Sequence, residues 1–393
     1  MSFSKLKLSD PILKAVAEAG YTVPTAIQKQ AIPIILSGRD LVAAAQTGTG
    51  KTASFVLPIL EKFNVEDKLR GKRIRALILT PTRELAIQVE ANVAKYSKYL
   101  NLSSMVMCGG VDSGPQRQRL IYGVDILVAT PGRLIDMMYQ RVLHFDELEI
   151  LVLDEADKML DMGFINDIEK IIDRLPSQRQ SLLFSATLTE EVRFLADTVN
   201  ENAVEISVPP SSATTPKINQ WLITVDKDKK SALLSHLIKQ QQWDRALIFI
   251  DKKHAAAKLV SQLEKRGIIA EAIHGGRSQA VRERILADFK SGELKFLVAT
   301  GIASRGIDIE NMTRVVNYDL PYDSDDYIHR IGRTGRAGAS GEAISFVSND
   351  NFKNLCAIES RLGHIITRKE IEGFEVKKVV PVSILNFVPK HKR

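Results

Sequence analysis

Strand-length apolar runs alternate with longer stretches of helical periodicity along this chain, and the whole alternation occurs twice. In the first half Asp40 to Ala45, Ile74 to Thr80, Ser104 to Cys108, Asp125 to Thr130, Ile150 to Asp154 and Ser181 to Ser185 read as buried strands, with amphipathic stretches such as Glu84 to Leu100 and Arg133 to Gln140 between them. Strands that are apolar throughout need cover on both faces, and helical crossovers make neighbouring strands parallel. The pattern predicts a doubly wound parallel α/β sheet. Val208 to Pro216, rich in Pro, Ser and Thr, breaks the periodicity and reads as a flexible linker over 209–216. The alternation then resumes with strands at Gln220 to Val225, Arg245 to Ile250, Ala270 to Ile273, Lys295 to Ala299, Arg314 to Tyr318 and Glu342 to Val347, and with helices that include Ala255 to Arg266 and Gln279 to Lys290. Two similar α/β lobes, 1–208 and 217–365, are expected, followed by a basic tail over 366–393.

The length, 393 residues, suits two or three domains. No apolar run approaches the roughly 20 residues of a membrane span, so integral membrane proteins are excluded. The opening Met1-Ser2-Phe3-Ser4-Lys5 lacks the apolar core of a signal peptide, which predicts no export and a cytoplasmic location. Cys108 and Cys356, far apart and without metal-ligand spacing, fit a reducing compartment. Net charge is +7, unevenly placed: 24 basic against 26 acidic residues precede residue 209, and 30 against 21 follow. That asymmetry is compatible with polyanion binding and equally with a solvated basic face, so motifs must decide.

Ala45-Gln46-Thr47-Gly48-Thr49-Gly50-Lys51-Thr52 follows a predicted strand and precedes a predicted helix. Glycines there let backbone N–H groups approach phosphate oxygens, Lys51 adds a point charge and the Thr52 hydroxyl can hold Mg²⁺, which points to ATP. Ala45 departs from the usual leading glycine. Asp154-Glu155-Ala156-Asp157 ends a buried strand, where open α/β sheets bind ligands. Asp154 suits hydrated Mg²⁺ and Glu155 suits orienting or deprotonating the attacking water, unless the string merely caps the next helix. In the second half, His329-Arg330-Ile331-Gly332-Arg333-Thr334-Gly335-Arg336 places Arg333 and Arg336 three apart. On one helix turn both would face a γ-phosphate; the alternative is a basic turn that binds nucleic-acid phosphate directly.

These ordered strings resemble the DEAD-box ATP-dependent RNA helicases, across about residues 3 to 365, and most resemble the bacterial RhlE-like subgroup. The resemblance implies two tandem RecA-like lobes that close over ATP and single-stranded RNA, with ATP and Mg²⁺ as cofactors. It implies that Gln28 reads the adenine edge, that Tyr21 stacks on the ring, and that Phe3 is the family's isolated upstream aromatic. Implied RNA-backbone contacts are Pro81, Thr82, Arg83, Gly109, Gly110, Thr130, Pro131, Gly132 and Arg133 in the first lobe, and Gln279, Arg282 and Thr300 in the second. Asp308 matches a ribose contact. Ser185-Ala186-Thr187 matches the motif that joins ATP state to RNA remodelling, through the Asp157 region, and His329 belongs with that coupling. Phosphate and sugar contacts carry no base information, so RNA binding is expected to be sequence-independent.

Gly301 stands where the family usually has Asp, and the loss of that carboxylate, with a looser backbone beside Thr300, is expected to weaken coupling. The implied activity is local duplex unwinding driven by RNA-stimulated ATP hydrolysis. An ATP-gated RNA clamp or chaperone uses the same motifs, and a DNA translocase of the wider superfamily is the third reading. A monomer is expected, with ribosome-assembly or RNA-decay proteins as partners. The tail reads as a disordered basic end, with Val379-Val380, Ile384-Leu385 and Phe387-Val388 able to dock on a lobe or a partner.

Overall fold

The computed structural model describes all residues except 1, 47, 66–72, 201, 209–217, 302–308, 310–311, 336–340 and 386–393. The expected linker, Thr47, Asp308 and Arg336 therefore lie outside the described residues. The chain separates into two compact units, Met1–Pro210 and Ser211–Arg393.

The first unit opens with a 3-10 turn at Phe3–Leu6, α1 (Asp10–Glu18) and α2 (Ala26–Leu36). It continues through β1 (Leu41–Ala44), α3 (Lys51–Val65), β2 (Ala76–Leu79), α4 (Arg83–Tyr96), β3 (Ser104–Met107), α5 (Ser113–Tyr122), β4 (Ile126–Ala129), α6 (Pro131–Tyr139) and β5 (Ile150–Asp154). It closes with α7 (Ala156–Asp161), α8 (Ile165–Ile172), β6 (Gln180–Ser185), α9 (Glu190–Val199) and β7 (Val204–Ser207). The second unit runs β8 (Ile218–Thr224), α10 (Lys230–Gln240), β9 (Ala246–Ile250), α11 (Lys253–Glu264), β10 (Ala270–Ile273), α12 (Gln279–Ser291), β11 (Phe296–Thr300), β12 (Arg314–Asn317), α13 (Ser324–Ile331), β13 (Gly341–Val347), α14 (Phe352–Leu362) and β14 (Thr367–Lys369).

Each unit forms a seven-stranded sheet, and all the pairings are parallel. The orders are β3-β4-β2-β5-β6-β1-β7 and β10-β11-β9-β12-β13-β8-β14. Numbered within its own unit, each is 3-4-2-5-6-1-7. Alternate residues of one strand feed opposite cores: Ile150 and Val152 join one apolar cluster, Leu151 and Leu153 another. Both faces of a parallel sheet are thus covered, which is why its central strands read as unbroken apolar runs.

The predicted strands match to within about two residues, and two edge strands were not legible. β7 and β14 each have one neighbour and are largely exposed, so neither shows an apolar run. Helix α4 begins at Arg83 because the Thr82 hydroxyl accepts from the Leu85 N–H, and it stops at Tyr96, short of the expected Leu100. The tail differs most from expectation. Its described part is docked: β14 joins the sheet beyond the expected boundary at 365, Ile371 and Phe374 pack on a core cluster, and Val380 is buried. Arg368 Nη1 donates to the Val380 carbonyl at 2.6 Å, and the Lys377 N–H donates to Asp226 Oδ2 at 3.2 Å. Apolar residues spaced along an otherwise basic segment supply enough burial to hold it down. Val379 and Ile384 remain exposed. No helix of the described residues is long and apolar enough to cross a membrane.

Candidate nucleotide and nucleic-acid sites

In the first unit β1 and β5 flank β6, so the segments leaving their carboxyl ends face the same region above the sheet. After β1 the chain turns through Ala45–Gly50 into α3. Gly48 and Gly50 have φ of 81° and 91°, which an L side chain rarely adopts. Lys51, the first residue of α3, is buried, and its Nζ donates to the Ala45 carbonyl at 2.8 Å. Thr49 Oγ1 donates to the Gln46 carbonyl at 2.7 Å. Thr52 follows at the second position of α3, half-buried.

Gln28 ties α2 to this loop. Its Oε1 accepts from the Thr25 N–H at 2.9 Å in a capping box, and its Nε2 donates to the Gly50 carbonyl at 3.2 Å. A Cβ on Gly50 would collide with that amide. Tyr21, 45% exposed, lies 6.4 Å from the Tyr96 ring. Phe3 is buried in the core cluster with Leu6 and Leu8, so its ring packs inside the unit.

The carboxylates at the end of β5 are buried. Asp154 Oδ1 finds no hydrogen-bond partner among the described residues, and the Asp154 carboxyl is pushed up to about 7, by burial first and then by the neighbouring Glu155 charge. Lys51 and Lys158 only partly offset this. A buried, orphaned carboxylate oxygen near the Lys51 ammonium fits a divalent cation, whose charge would restore the ionised form. Glu155 has φ +55°, and its Oε2 pairs with the buried Lys158 Nζ at 2.6 Å. Lys158 was not singled out from the sequence, although its spacing of three residues from Glu155 on a helix start is the signal that could have found it. Asp157 faces the end of β6: its Oδ2 accepts from the Ala186 N–H at 3.0 Å and the Thr187 N–H at 3.2 Å, and its own N–H donates to Ser185 Oγ at 3.3 Å. The resemblance implied this contact, and it is formed.

The other half of the same sheet carries the remaining first-unit strings. Pro81 and Thr82 are buried at the start of α4, and the Arg83 guanidinium lies so close over Gly109 and Gly110 that a Cβ on Gly110 would run into it. Pro131 heads α6 without a side-chain cap from Thr130, Gly132 is exposed, and Arg133 donates through Nη2 to the Val111 carbonyl at 3.0 Å and through Nη1 to Gln116 Oε1 at 3.4 Å. Arg83 and Arg133 thus converge on one glycine turn, Gly109 to Val111, from two different helices. Gln116, which also donates to the Cys108 carbonyl at 3.2 Å, is an unforeseen member of this group.

In the second unit Gln279 and Arg282 are buried at the start of α12, and Thr300 ends β11, also buried. His274-Gly275-Gly276 follows β10 as Cys108-Gly109-Gly110 follows β3, a repetition visible only once the two strand orders are known to match. A Cβ on Gly301 would make ordinary contact with Arg330 Nη2 at 3.4 Å and Asp326 Oδ2 at 3.8 Å. His329 is half-buried on α13. Arg333 does not lie on a helix turn as expected. Helix α13 ends at Ile331, Gly332 caps it, and Arg333 sits in the following turn, 7% exposed, its N–H donating to the Arg330 carbonyl at 3.2 Å and its carbonyl accepting from the Met312 N–H at 3.1 Å.

A glycine loop leading into a lysine-headed helix, with paired carboxylates one strand beyond its neighbour, defines the RecA-like class of nucleoside-triphosphate-binding proteins. The DEAD/DEAH box helicase family matches residues 25–195, and the helicase conserved C-terminal domain matches residues 228–338. The chain is 39% identical to the DEAD-box ATP-dependent RNA helicase RhpA of Helicobacter pylori, over 96% of this chain and 75% of that protein. It is 41% identical to the ATP-dependent RNA helicase RhlB of Pseudomonas putida, over 96% of each. Among solved structures, S. cerevisiae Dbp5 bound to RNA and ADP BeF3 superposes with a TM-score of 0.84 at 33% identity, covering 94% of this chain and 95% of that one. The chain belongs to the DEAD-box ATP-dependent RNA helicases. These relatives establish the family and not the RhlE-like subgroup within it.

Proposed function

We propose that this protein hydrolyses ATP when RNA is bound and uses the cycle to open or remodel short RNA duplexes, without reading base sequence. The observation that carries this reading is the shared occupancy of one sheet: phosphate loop and carboxylates stand over β1 and β5, the convergent arginines over β2 and β4, and Asp157 joins the DEAD string to the end of the strand between β1 and β5. Lys51 and the loop amides would take the phosphates. Thr52 and Asp154 would hold Mg²⁺, which supplies charge neutralisation on the phosphate oxygens. Glu155, held by Lys158, would accept the proton of the attacking water, and Arg333 would stabilise the charge that develops on the transferred group. Gln28 would read adenine from its place against Gly50. Arg83, Gly110 and Arg133, with Gln279, Arg282 and Thr300, would hold the sugar-phosphate backbone, with Arg336 and Asp308 completing the ATP set. Work of this kind fits the cytoplasm and a monomer. Partners in ribosome assembly or RNA decay belong to the same proposal, and co-purification from cells tests them.

RNA-stimulated ATPase with matched DNA as control tests the central reading, because the 2′-OH is the available discriminator. Equal stimulation by DNA would favour the translocase, and long-lived RNA complexes without strand displacement would favour the clamp. Gly301→Asp tests the coupling expectation. The site has room for the side chain beside Arg330, although Asp326 already supplies a carboxylate there, and unchanged stimulation would remove the idea that Gly301 loosens coupling.

A further inference from the structure

The second unit repeats the strand order of the first, and with it the layout of a nucleotide site. The turn after β8 corresponds to the phosphate loop after β1. It runs Val225-Asp226-Lys227-Asp228-Lys229, without a glycine, and leads into α10, headed by Lys230 as α3 is headed by Lys51. Tyr318-Asp319 follows β12, the counterpart of β5 with its Asp154-Glu155 end. Lys230 is 2% exposed, and its Nζ donates to the Tyr318 carbonyl at 2.7 Å and to Asp319 Oδ1 at 3.0 Å. The lysine that would meet phosphate in such a layout is committed to the carboxylate that would meet the metal. The carboxyl-terminal strap closes the turn further, since the Lys377 N–H donates to Asp226.

Asp319 is also a hub. Its Oδ2 accepts from the Asp251 N–H at 3.2 Å, its N–H donates to the Phe249 carbonyl at 3.2 Å, and its carbonyl accepts from Arg330 Nη1 at 2.9 Å. Arg330 lies with its guanidinium 5.2 Å from the Phe249 ring centre, and its own carbonyl accepts from the Arg333 N–H. A continuous set of bonded groups therefore runs from Lys230 through Asp319 and Arg330 to the turn that carries Arg333.

We propose that Lys230 and Asp319 are positioning residues: the ion pair between buried Lys230 and half-buried Asp319, built from the degenerate nucleotide layout of the second unit, closes that layout to nucleotide and fixes the Arg330–Arg333 turn for ATP hydrolysis. The proposal rests on the reading of Arg333 given above. Because Lys230 is buried and Asp319 half-buried, loss of one partner leaves the other charge uncompensated in a partly desolvated place, whereas removal of both charges is milder. This separates positioning from stability.

The test compares Lys230→Met, Lys230→Arg, Lys230→Met/Asp319→Asn, Arg333→Ala and Lys230→Met/Arg333→Ala in the full chain, by RNA-stimulated kcat, KM for ATP and thermal unfolding. Lys230→Met is expected to lower kcat by about tenfold or more, the scale on which small misplacement of a catalytic group acts, with KM for ATP changed by less than about twofold. Lys230→Arg is expected to recover most of kcat. The Lys230→Met/Asp319→Asn chain should regain thermal stability and keep the low kcat. In the Arg333→Ala background Lys230→Met should have no further effect, because it acts through that residue. Parental kcat in Lys230→Met, recovery of kcat together with stability in the double variant, or multiplying effects of Lys230→Met and Arg333→Ala would each overturn the positioning role. Parental kcat in Arg333→Ala would instead overturn the arginine reading, and the positioning role with it. Nucleotide bound at two equivalents per chain would overturn the closed second layout.

Discussion

After β1 the first unit turns through Ala45–Gly50, with two glycines at positive φ, into a helix headed by Lys51; after β8 the second turns through a glycine-free segment into a helix headed by Lys230. The strand order is the same in both. The difference teaches that this sheet offers a ligand region at its carboxyl edge, and that a few residues decide whether the region stays open. In the first unit Asp154 keeps an unpartnered buried oxygen and an elevated pKa, the condition of a group awaiting a cation. In the second, both Asp319 carboxylate oxygens and its carbonyl accept hydrogen bonds, and its lysine is spent on it.

Four sets of substitutions bear on that comparison. Glu155→Gln is expected to lower ATPase kcat by about 10²- to 10⁴-fold while ATP and RNA still bind, the range of a lost general base. Asp319→Asn, which removes a carboxylate charge after the matching strand of the second unit, should cost far less, and equal losses in steady-state assays would erase the distinction between an open and a closed layout. Leu151→Ala and Leu297→Ala each open a cavity in a fully buried central strand, one per unit. Each should cost about 2–5 kcal/mol and shift only its own unit's transition in denaturant; a shift of both transitions by either variant would show that the units unfold together. Arg83→Ala and Arg133→Ala should weaken RNA binding evenly across sequences and reduce the slope of log affinity against log salt by about one each, read by titration at several salt concentrations. Thr82→Ala, which removes the cap of α4, should lower the stability of the first unit by about 1 kcal/mol in the same denaturant measurement.

Central strands were legible because burial on both faces leaves a plain apolar run, as in Ile150–Leu153. The phosphate loop and the DEAD string were legible because the chemistry tolerates few residue types: glycine at positive φ, a lysine, a carboxylate at a strand end. Edge strands β7 and β14 were not, since one neighbour and an open face demand no such pattern. The tail misled because its basic residues stand out in sequence while Phe374 and Val380, which hold it down, belong to no strand-length apolar run. Arg333 and Arg336 looked like one helical turn by spacing, and Gly332 ends α13 before Arg333 is reached, while Arg336 lies outside the described residues.

By itself the sequence determined the α/β alternation, its duplication, and the glycine loop headed into Lys51 with the carboxylates at a strand end, because these are local requirements of backbone conformation and functional-group chemistry. Only the tertiary structure decided that both sheets share one strand order, that Arg83 and Arg133 meet over Gly109–Val111, and that Lys230 is paired with Asp319. Each of these joins residues far apart in sequence, and what brings them together is burial of the apolar strands in a fixed order, which no local string records.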